Sequence, residues 1–361
     1  MVGKRRQPLS RGYREIPQNG KSLAERRTVA AQKSSVTAII PALNAAHLLP
    51  ASLKALARSD YAIAETLVFD DGSSDATGDV AYGMGASVVR NSGSPLGPGE
   101  GRNRAAAQAS GDLLLFVDSD VIVNADAVGL LVEAISDPKV VAAFGSYDDS
   151  PPHRGVASLY VNLRHHFIHQ NGPIFASTFW AGLGLVRRRT FLEMGGFDGR
   201  YKRPSIEDIE LGARLVEKGH LIRLVPEARG KHLKNWSLRQ LWRTDIFDRA
   251  VPWARLIADG RHRGVDLNGN ADERTSAGLA YLSLITFAVA FWKPAALLMT
   301  FAFSLTYLVH NRTFLRLLYK RMSWQGFIGA AALHWCYHIY ASAIVACALA
   351  WRCLIGLTRR H

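Results

Sequence analysis

The chain has 361 residues and a formal net charge of +14, long enough for one large α/β domain plus an appendage and basic enough to admit nucleic acid, anionic lipid or a phosphorylated substrate. Its three cysteines, Cys336, Cys347 and Cys353, lie close together near the end of the sequence without metal-ligand spacing, which excludes a disulfide framework and a zinc–cysteine centre for everything before them and suits the cytosol. No nucleic acid is expected as partner, because the basic residues gather in the first segment and near the last apolar ones, without the interleaved aromatic platform that single strands need.

Residues 1–34 open with Lys4, Arg5, Arg6, Arg11, Arg14, Lys21, Arg26 and Arg27 and few apolar residues between them. This reads as a solvated, disordered basic arm with no apolar h-region of a secretory signal, suited to lie on anionic headgroups. From about Val36 to Pro226, strand-like apolar runs alternate with helical patterns: VTAII leads into PALN, TLVF into DDGSSD and LLLFV into DSD, and VVAAF comes one helix later. Such alternation predicts βαβ units, a mostly parallel sheet and helices on both faces. Ligands of such sheets bind beyond the carboxyl ends of the strands, where Asn44, Asp70 with Asp71, and Asp118 with Asp120 fall.

In LLLFVDSDV, residues two apart leave the strand in the same direction, so Asp118 and Asp120 either cap a turn or form a site for a hard cation, Mg²⁺ or Mn²⁺, beside a diphosphate. The DDGSSD turn offers Asp71, Gly72 and Ser73 to a base or ribose, or is an ordinary turn before an N-cap. Arg102 and Asn103 begin the helix leading back to the aspartate strand, either touching phosphate or simply solvated. Trp180 precedes AGLG, where the indole face and Gly182 suit a sugar ring as well as they suit a core. Ser205 and Asp208 have near capping-box spacing before Ile206, Ile209, Ala213 and Val216, read as one helix face. That makes Asp208 a cap, a fixed proton acceptor, or both. His232 in KHLKNW is a third metal or diphosphate contact or a structural histidine.

From Ala277 two uncharged apolar runs are parted by Lys293 and Pro294. As one helix they would be about 50 Å long, too much for a hydrocarbon core of about 30 Å, so a hairpin of two short spans is expected. Arg312, Arg316, Lys320 and Arg321 would lie beside the large domain on the cytoplasmic face. The third run, from Trp324, either spans once, re-enters or lies at the interface. The expected division is a basic arm over 1–34, a catalytic domain over 35–260, a linker over 261–276, and membrane helices over 277–361 in two to four segments.

The stretches VTAIIPALNAAHLLPASLKAL, TLVFDDGSSDAT, GEGRNRAAAQASGDLLLFVDSDV, WAGLGLVRRRTFLEMGGFDGRY and SIEDIELGARLVEKG resemble, in order and spacing, the family 2 glycosyltransferases with the GT-A fold, over roughly Ser35 to Trp242. The resemblance implies that Asp71 contacts the nucleoside, that Asp118 and Asp120 form an Asp-x-Asp site for metal and diphosphate, and that Asp208 is the general base. With it come a donor site of Pro41, Asn44, Asp70, Asp71, Ser73, Arg102, Asn103 and Asp118, a metal set of Asp118, Asp120 and His232, and acceptor contacts from Trp180, Gly182 and Glu207. The implied activity is inverting, Mg²⁺- or Mn²⁺-dependent transfer from a nucleotide-sugar, a UDP-sugar first, to a hydroxyl of a glycan or lipid-linked acceptor at the cell membrane, in the making of envelope polysaccharide. A polyprenyl-phosphate acceptor, or a silent nucleotide-binding membrane scaffold, are the alternatives. Two departures stand out. Asn44 follows Leu43 where an aromatic is common, and QLWRT at Gln240–Thr244 only partly matches the Gln-x-x-Arg-Trp of processive synthases, which argues against processivity.

Overall fold

The structure is a computed structural model that describes residues 34–260 and 270–358. The basic arm up to residue 33, and residues 261–269 of the expected linker, lie outside the described residues.

Strands β1 (Val36–Ala42), β2 (Glu65–Asp70), β3 (Ser87–Arg90), β4 (Leu113–Val117), β5 (Val121–Val123), β6 (Val140–Tyr147), β7 (Phe175–Ala176), β8 (Leu183–Arg187) and β9 (Leu221–His232) form one sheet in the order β3-β2-β1-β4-β8-β6-β9-β5, with β7 on β9. The pairs β1–β2, β1–β4, β2–β3 and β6–β9 are parallel, while β8 is antiparallel to both β4 and β6, and β5 and β7 are antiparallel to β9. Hence β1, β2, β3, β4, β6 and β9 run one way, and the expected mostly parallel sheet is present with three strands opposed. Every residue of LLLFV is buried because both faces are covered, and the strand's period of two sorts its side chains. Leu113, Leu115 and Val117 enter one core with α1 (Leu49–Ala57), α2 (Thr77–Gly83) and α4 (Ala127–Ala134). Leu114 and Phe116 enter the other with α3 (Pro98–Gln108), α6 (Arg188–Glu193) and α7 (Glu207–Glu217). The chain winds outward from β1 to β3 and returns beyond β1 at β4, so a switch-point crevice opens between β1 and β4.

The helix α5 (Val156–Gln170) lies between β6 and β7, and α8 (Leu238–Arg243), a π-helical stretch Thr244–Ala250 and α9 (Val251–Ala258) follow β9. Then come α10 (Ala271–Val289), α11 (Ala296–His310), α12 (Arg312–Arg321) and α13 (Trp324–Thr358). The break expected at Lys293–Pro294 separates α10 from α11. Two expectations need correction. The linker does not reach 276, since Asn270 caps α10 by accepting from Glu273 N at 3.0 Å. The inner face of α7 is only partly the expected one of Ile206, Ile209, Ala213 and Val216: Ile206 and Ala213 are buried, but Leu211 and Leu215 are fully buried beside them while Val216 is 40% exposed, because Gly212 lets the helix pack on the backbone of Thr178 and Phe179. The late helices are no detached appendage either. Tyr160 and Leu163 of α5, Trp236, Phe314 and Leu318 of α12 and Ala330 of α13 share a third core. By length and composition one described helix, Trp324–Leu354, is long and apolar enough to cross a membrane.

At Gly145 the β6–β9 pairing shifts register, and a Cβ would stand 2.1 Å from the Ala228 carbonyl oxygen. Backbone cannot yield as a flexible side chain does, so Gly145→Ala is expected to cost about 1–3 kcal/mol, read from melting in detergent; an unchanged melting temperature would contradict this pairing.

Candidate active site

The turn after β4 carries the paired aspartates, held by Asp118 N donating to Gly182 O at 3.2 Å and Val121 N to Asp118 O at 3.1 Å. Arg102, projecting from α3 and 4% exposed, donates through Nη2 to Asp118 Oδ1 at 2.6 Å and through Nη1 to Glu207 Oε1 at 3.1 Å. Glu207 also accepts from Ser205 N at 2.9 Å. The sequence pattern places Arg102 on donor phosphate and Glu207 on acceptor, but in the fold each side chain is spent on the other. They tie the aspartate turn to the start of α7.

Asp120 faces His232, with Oδ2 and Nε2 3.4 Å apart. The other ring nitrogen, Nδ1, lies 2.7 Å from Asn162 Oδ1, and Asn162 turns its Nδ2 to Ser158 O at 2.8 Å. That amide orientation makes Nδ1–H the donor, so in the neutral ring the lone pair of Nε2 points at a carboxylate. Two acceptors facing each other need a proton or a cation between them. Among the described residues no group of three His, Cys, Asp or Glu side chains is placed to hold a metal ion. Asp120 and His232 face each other, but Asp118 turns Oδ1 to Arg102, so the expected set of Asp118, Asp120 and His232 is not assembled, and a hard divalent ion would have to take one or two carboxylates and complete its shell with substrate phosphate. Burial works to raise Asp120, but with the proton in that gap the bond and charge of the imidazolium outweigh it and hold the carboxylate below its ordinary range.

The other predicted donor residues divide. Pro41 and Asp71 line the cavity beside this turn. Asp71 accepts from Leu96 N at 2.9 Å, Gly97 N at 2.8 Å and Asn91 Nδ2 at 2.9 Å, fixing the loop before α3. Asn44, in the left-handed region at φ 51°, accepts from Ser74 N at 2.8 Å and donates its own N–H to Ser73 Oγ at 2.9 Å. Asp70 accepts from Ser73 N at 3.0 Å. Asn44, Asp70 and Ser73 thus satisfy one another and shape the rim, instead of reaching into it. Asn103 is turned away, bonded both ways to the Phe197 backbone at 2.8 Å.

Asp208, in the first turn of α7, accepts from Ala181 N at 3.1 Å and Ile209 N at 2.8 Å. The expected capping box does not form: Ile206 holds the cap position, and Ser205 Oγ donates to Asp248 O at 2.5 Å. A capping box occurs instead at Ser237 and Gln240, and since Gln240 opens the stretch compared with the processive motif, that residue has a structural use. Burial first, then the neighbouring Glu207 charge, push the Asp208 carboxyl up to about 7. Trp180 lies edge-on to Tyr147, centroids 4.8 Å apart, and packs on His165 at 4.7 Å. A Cβ on Gly182 would stand 2.5 Å from the indole, so that glycine makes room for Trp180, and both line the cavity.

Tyr147 and Lys234 went unnoticed in the sequence. Tyr147 stacks on His232 at 4.4 Å and 7°, and Lys234 holds its Nζ 4.1 Å over the Trp236 ring. Burial holds the Lys234 ammonium below its ordinary range, against the pull of Asp120. A signal for Lys234 existed, since it lies only two residues beyond His232, where β9 ends. The cavity, about 1320 Å³, runs from Asp71, Asp118 and Asp208 to Tyr281 of α10 and Val345 of α13.

Residues 37–194 match the family model described as Glycosyl transferase family 2. The chain is 26% identical over 290 residues to the O-antigen chain rhamnosyltransferase RfbN of Salmonella typhimurium, covering 75% of this chain and 88% of that one. To the O-antigen chain rhamnosyltransferase WbaN of Salmonella anatum it is 25% identical over 260 residues, covering 67% and 78%. Among solved structures, the mannosyltransferase PcManGT of Pyrobaculum calidifontis, in complex with GDP-Man and Mn²⁺, superposes with a TM-score of 0.50 at 17% identity over 88% of both chains; this likeness concerns the fold.

Arg102→Ala would leave the Glu207 side chain, 6% exposed, charged and unpaired, and is expected to cost about 3–5 kcal/mol. Pairing Arg102→Met with Glu207→Gln should recover much of that loss. The check is the melting temperature of the variants in detergent, and an unaffected Arg102→Ala would mean these groups are solvated.

Proposed function

Because this chain is a family 2 glycosyltransferase, we propose that it transfers a sugar from a nucleotide-sugar to a hydroxyl of a lipid-linked glycan at the membrane, with inversion and with Asp208 as general base. The observation that carries the proposal is a carboxyl fixed by Ala181 N–H and Ile209 N–H in the same cavity as the paired aspartates, where burial pushes it up to about 7. A base whose pKa lies near working pH is free of its proton yet still basic enough to take one from an alcohol.

Asp208, fixed by Ala181 N–H and Ile209 N–H, accepts the hydrogen bond of the acceptor hydroxyl. Its remaining lone pair takes the proton as the oxygen bonds to the anomeric carbon. The nucleoside diphosphate leaves from the opposite face with the electrons of the broken C–O bond, so the configuration inverts. Asp118, Asp120 and His232 would hold a divalent ion, which when bound supplies positive charge beside the departing oxygens. Lys234 adds its charge from the β9 side. Arg102 is a positioning residue that keeps Asp118 and the α7 start in register, and Trp180 is an apolar wall for the sugar.

A lipid-linked acceptor is supported by the cavity's extension along α10 and α13, whose neighbours α10–α11 expose Phe291, Trp292, Leu298 and Phe301. The names of the two relatives favour a rhamnosyl donor and an O-antigen-like product in a bacterial envelope, so a rhamnosyl nucleotide heads the panel against which the detergent-purified protein is screened.

Asp208→Asn should lower turnover by roughly 10² to 10⁴ with donor binding nearly unchanged; equal turnover in the variant would remove Asp208 from the chemistry. In the unmodified enzyme, protonation below about pH 7 disables the base, so turnover should rise with pH through that point and fall about tenfold per unit below it. Chelator should abolish turnover, Mg²⁺ or Mn²⁺ should restore it, and Asp120→Asn should mimic the loss. Full turnover in excess chelator would contradict the metal assignment.

A further inference from the structure

The helix that passes the length test for a membrane span, α13, is held against the catalytic domain along its whole course. Just before it, Arg321 pairs with Asp149 and accepts at its carbonyl from Arg154 Nη2 at 3.0 Å. At its middle, Tyr340 OH donates to Asp245 Oδ2 at 2.8 Å. That carboxylate also pairs with Arg164 of α5 at 3.0 Å, whose guanidinium lies 3.5 Å from the centre of the Tyr337 ring. Near its end, Arg352 meets Asp259, beyond α9, at 3.4 Å, both side chains more than half exposed. Residues 324–354 measure about 46 Å as a helix. A helix crossing the bilayer leaves a peripheral domain within a few turns, and one touching charged residues of that domain at its start, middle and end runs alongside it.

Resting on the reading that this enzyme works at a membrane, the geometry points to α13 as an in-plane helix. It lies between the catalytic cavity and one leaflet rich in anionic lipid, and leaves Cys353 on the catalytic side. Its inner face, through Tyr337, Ala341 and Val345, walls the cavity. Away from the cavity it leaves Trp324 and Ile328 exposed near its start and Trp351 and Leu354 near its end, each 56–67%, apolar groups for the acyl–headgroup boundary. The occupant follows from charge. In α12 the apolar Phe314, Leu315 and Leu318 are buried while Arg312, Arg316 and Lys320 face outward, a cationic row at the base of the same surface, suited to anionic headgroups. What enters the hydrocarbon is the shorter hairpin. Asn311 Nδ2 donates to Ser276 Oγ at 3.1 Å and marks its base. From Ser276 to Val289, the end of α10, is about 20 Å of helix, about two-thirds of a hydrocarbon core of about 30 Å, and Trp292 with Lys293 at the tip suits the far interface.

The test is labelling with a membrane-impermeant maleimide in sealed vesicles of both orientations, using the full chain with Cys336→Ser and Cys347→Ser so that the exposed Cys353 is the reactive thiol. Tyr82→Cys in a cysteine-free chain, at a site 75% exposed on the catalytic domain, reports the catalytic side, and Lys293→Cys reports the tip. Cys353 should react from the same side as Tyr82→Cys, at least tenfold faster than from the other, and Lys293→Cys from the opposite side. Cys353 reacting only from the side opposite Tyr82→Cys, or from neither, would overturn the in-plane placement. If the cysteine variants fold poorly, protease cleavage of a C-terminal tag on the unmodified sequence locates the same end of the helix: cleavage from the catalytic side supports the placement, and cleavage only from the other side overturns it. Carbonate releasing the protein would instead defeat the membrane reading itself, a result distinct from either labelling pattern.

Discussion

A guanidinium closed off from water between two carboxylates, Arg102 between Asp118 and Glu207, is the constraint on which the rest of the site depends. Three elements distant in sequence, α3, the turn after β4 and the first turn of α7, are joined through that one side chain. Charges removed from water are held only where their partners are fixed, so the turn bearing Asp120 and the helix bearing Asp208 cannot shift independently. The same group of charges sets the chemistry. Glu207 beside Asp208 helps to lift that carboxyl, while Arg102 restrains the rise, which leaves the base near neutrality and not in the ordinary acidic range.

The frame of the molecule was legible in the sequence because the patterns behind it are local. Apolar runs ending in Asp or Asn become strands whose carboxyl ends meet at one rim, and Lys293–Pro294 breaks the apolar tail where a helix would be too long. The aspartates 118 and 120 could be placed because strand parity and the switch point fix their direction. What local pattern does not carry is partnership. Nothing near Arg102 in the sequence announces Glu207, 105 positions away, so both were read as ligand contacts. Asn103, Asn44 and Ser73 find partners within the protein in the same way, because a polar residue at a rim is as well satisfied by a neighbouring backbone as by a substrate. Asp208 was placed for half a wrong reason, since its expected capping partner Ser205 bonds elsewhere, yet burial gives it the property a base requires.

The late helices carry information beyond their length. An apolar helix of bilayer length and a pair of shorter ones suggest one span and two fragments, but the polar contacts along α13 bind it to the catalytic domain, and the hairpin beyond Ser283 is the part left exposed. With α13 as a wall of the cavity, the catalytic carboxylates and the apolar surface belong to one continuous space.

The claim at the centre of this account is the state of the Asp208 carboxyl, which a ¹³C-carboxyl NMR titration of detergent-purified protein, with the resonance assigned by its absence from Asp208→Asn, measures without any knowledge of donor or acceptor. A titration midpoint near 7 is the predicted result. A midpoint near 4, the ordinary value for a solvated aspartate, would mean that Asp208 is neither desolvated nor tuned by Glu207, and the general-base assignment would fall with it.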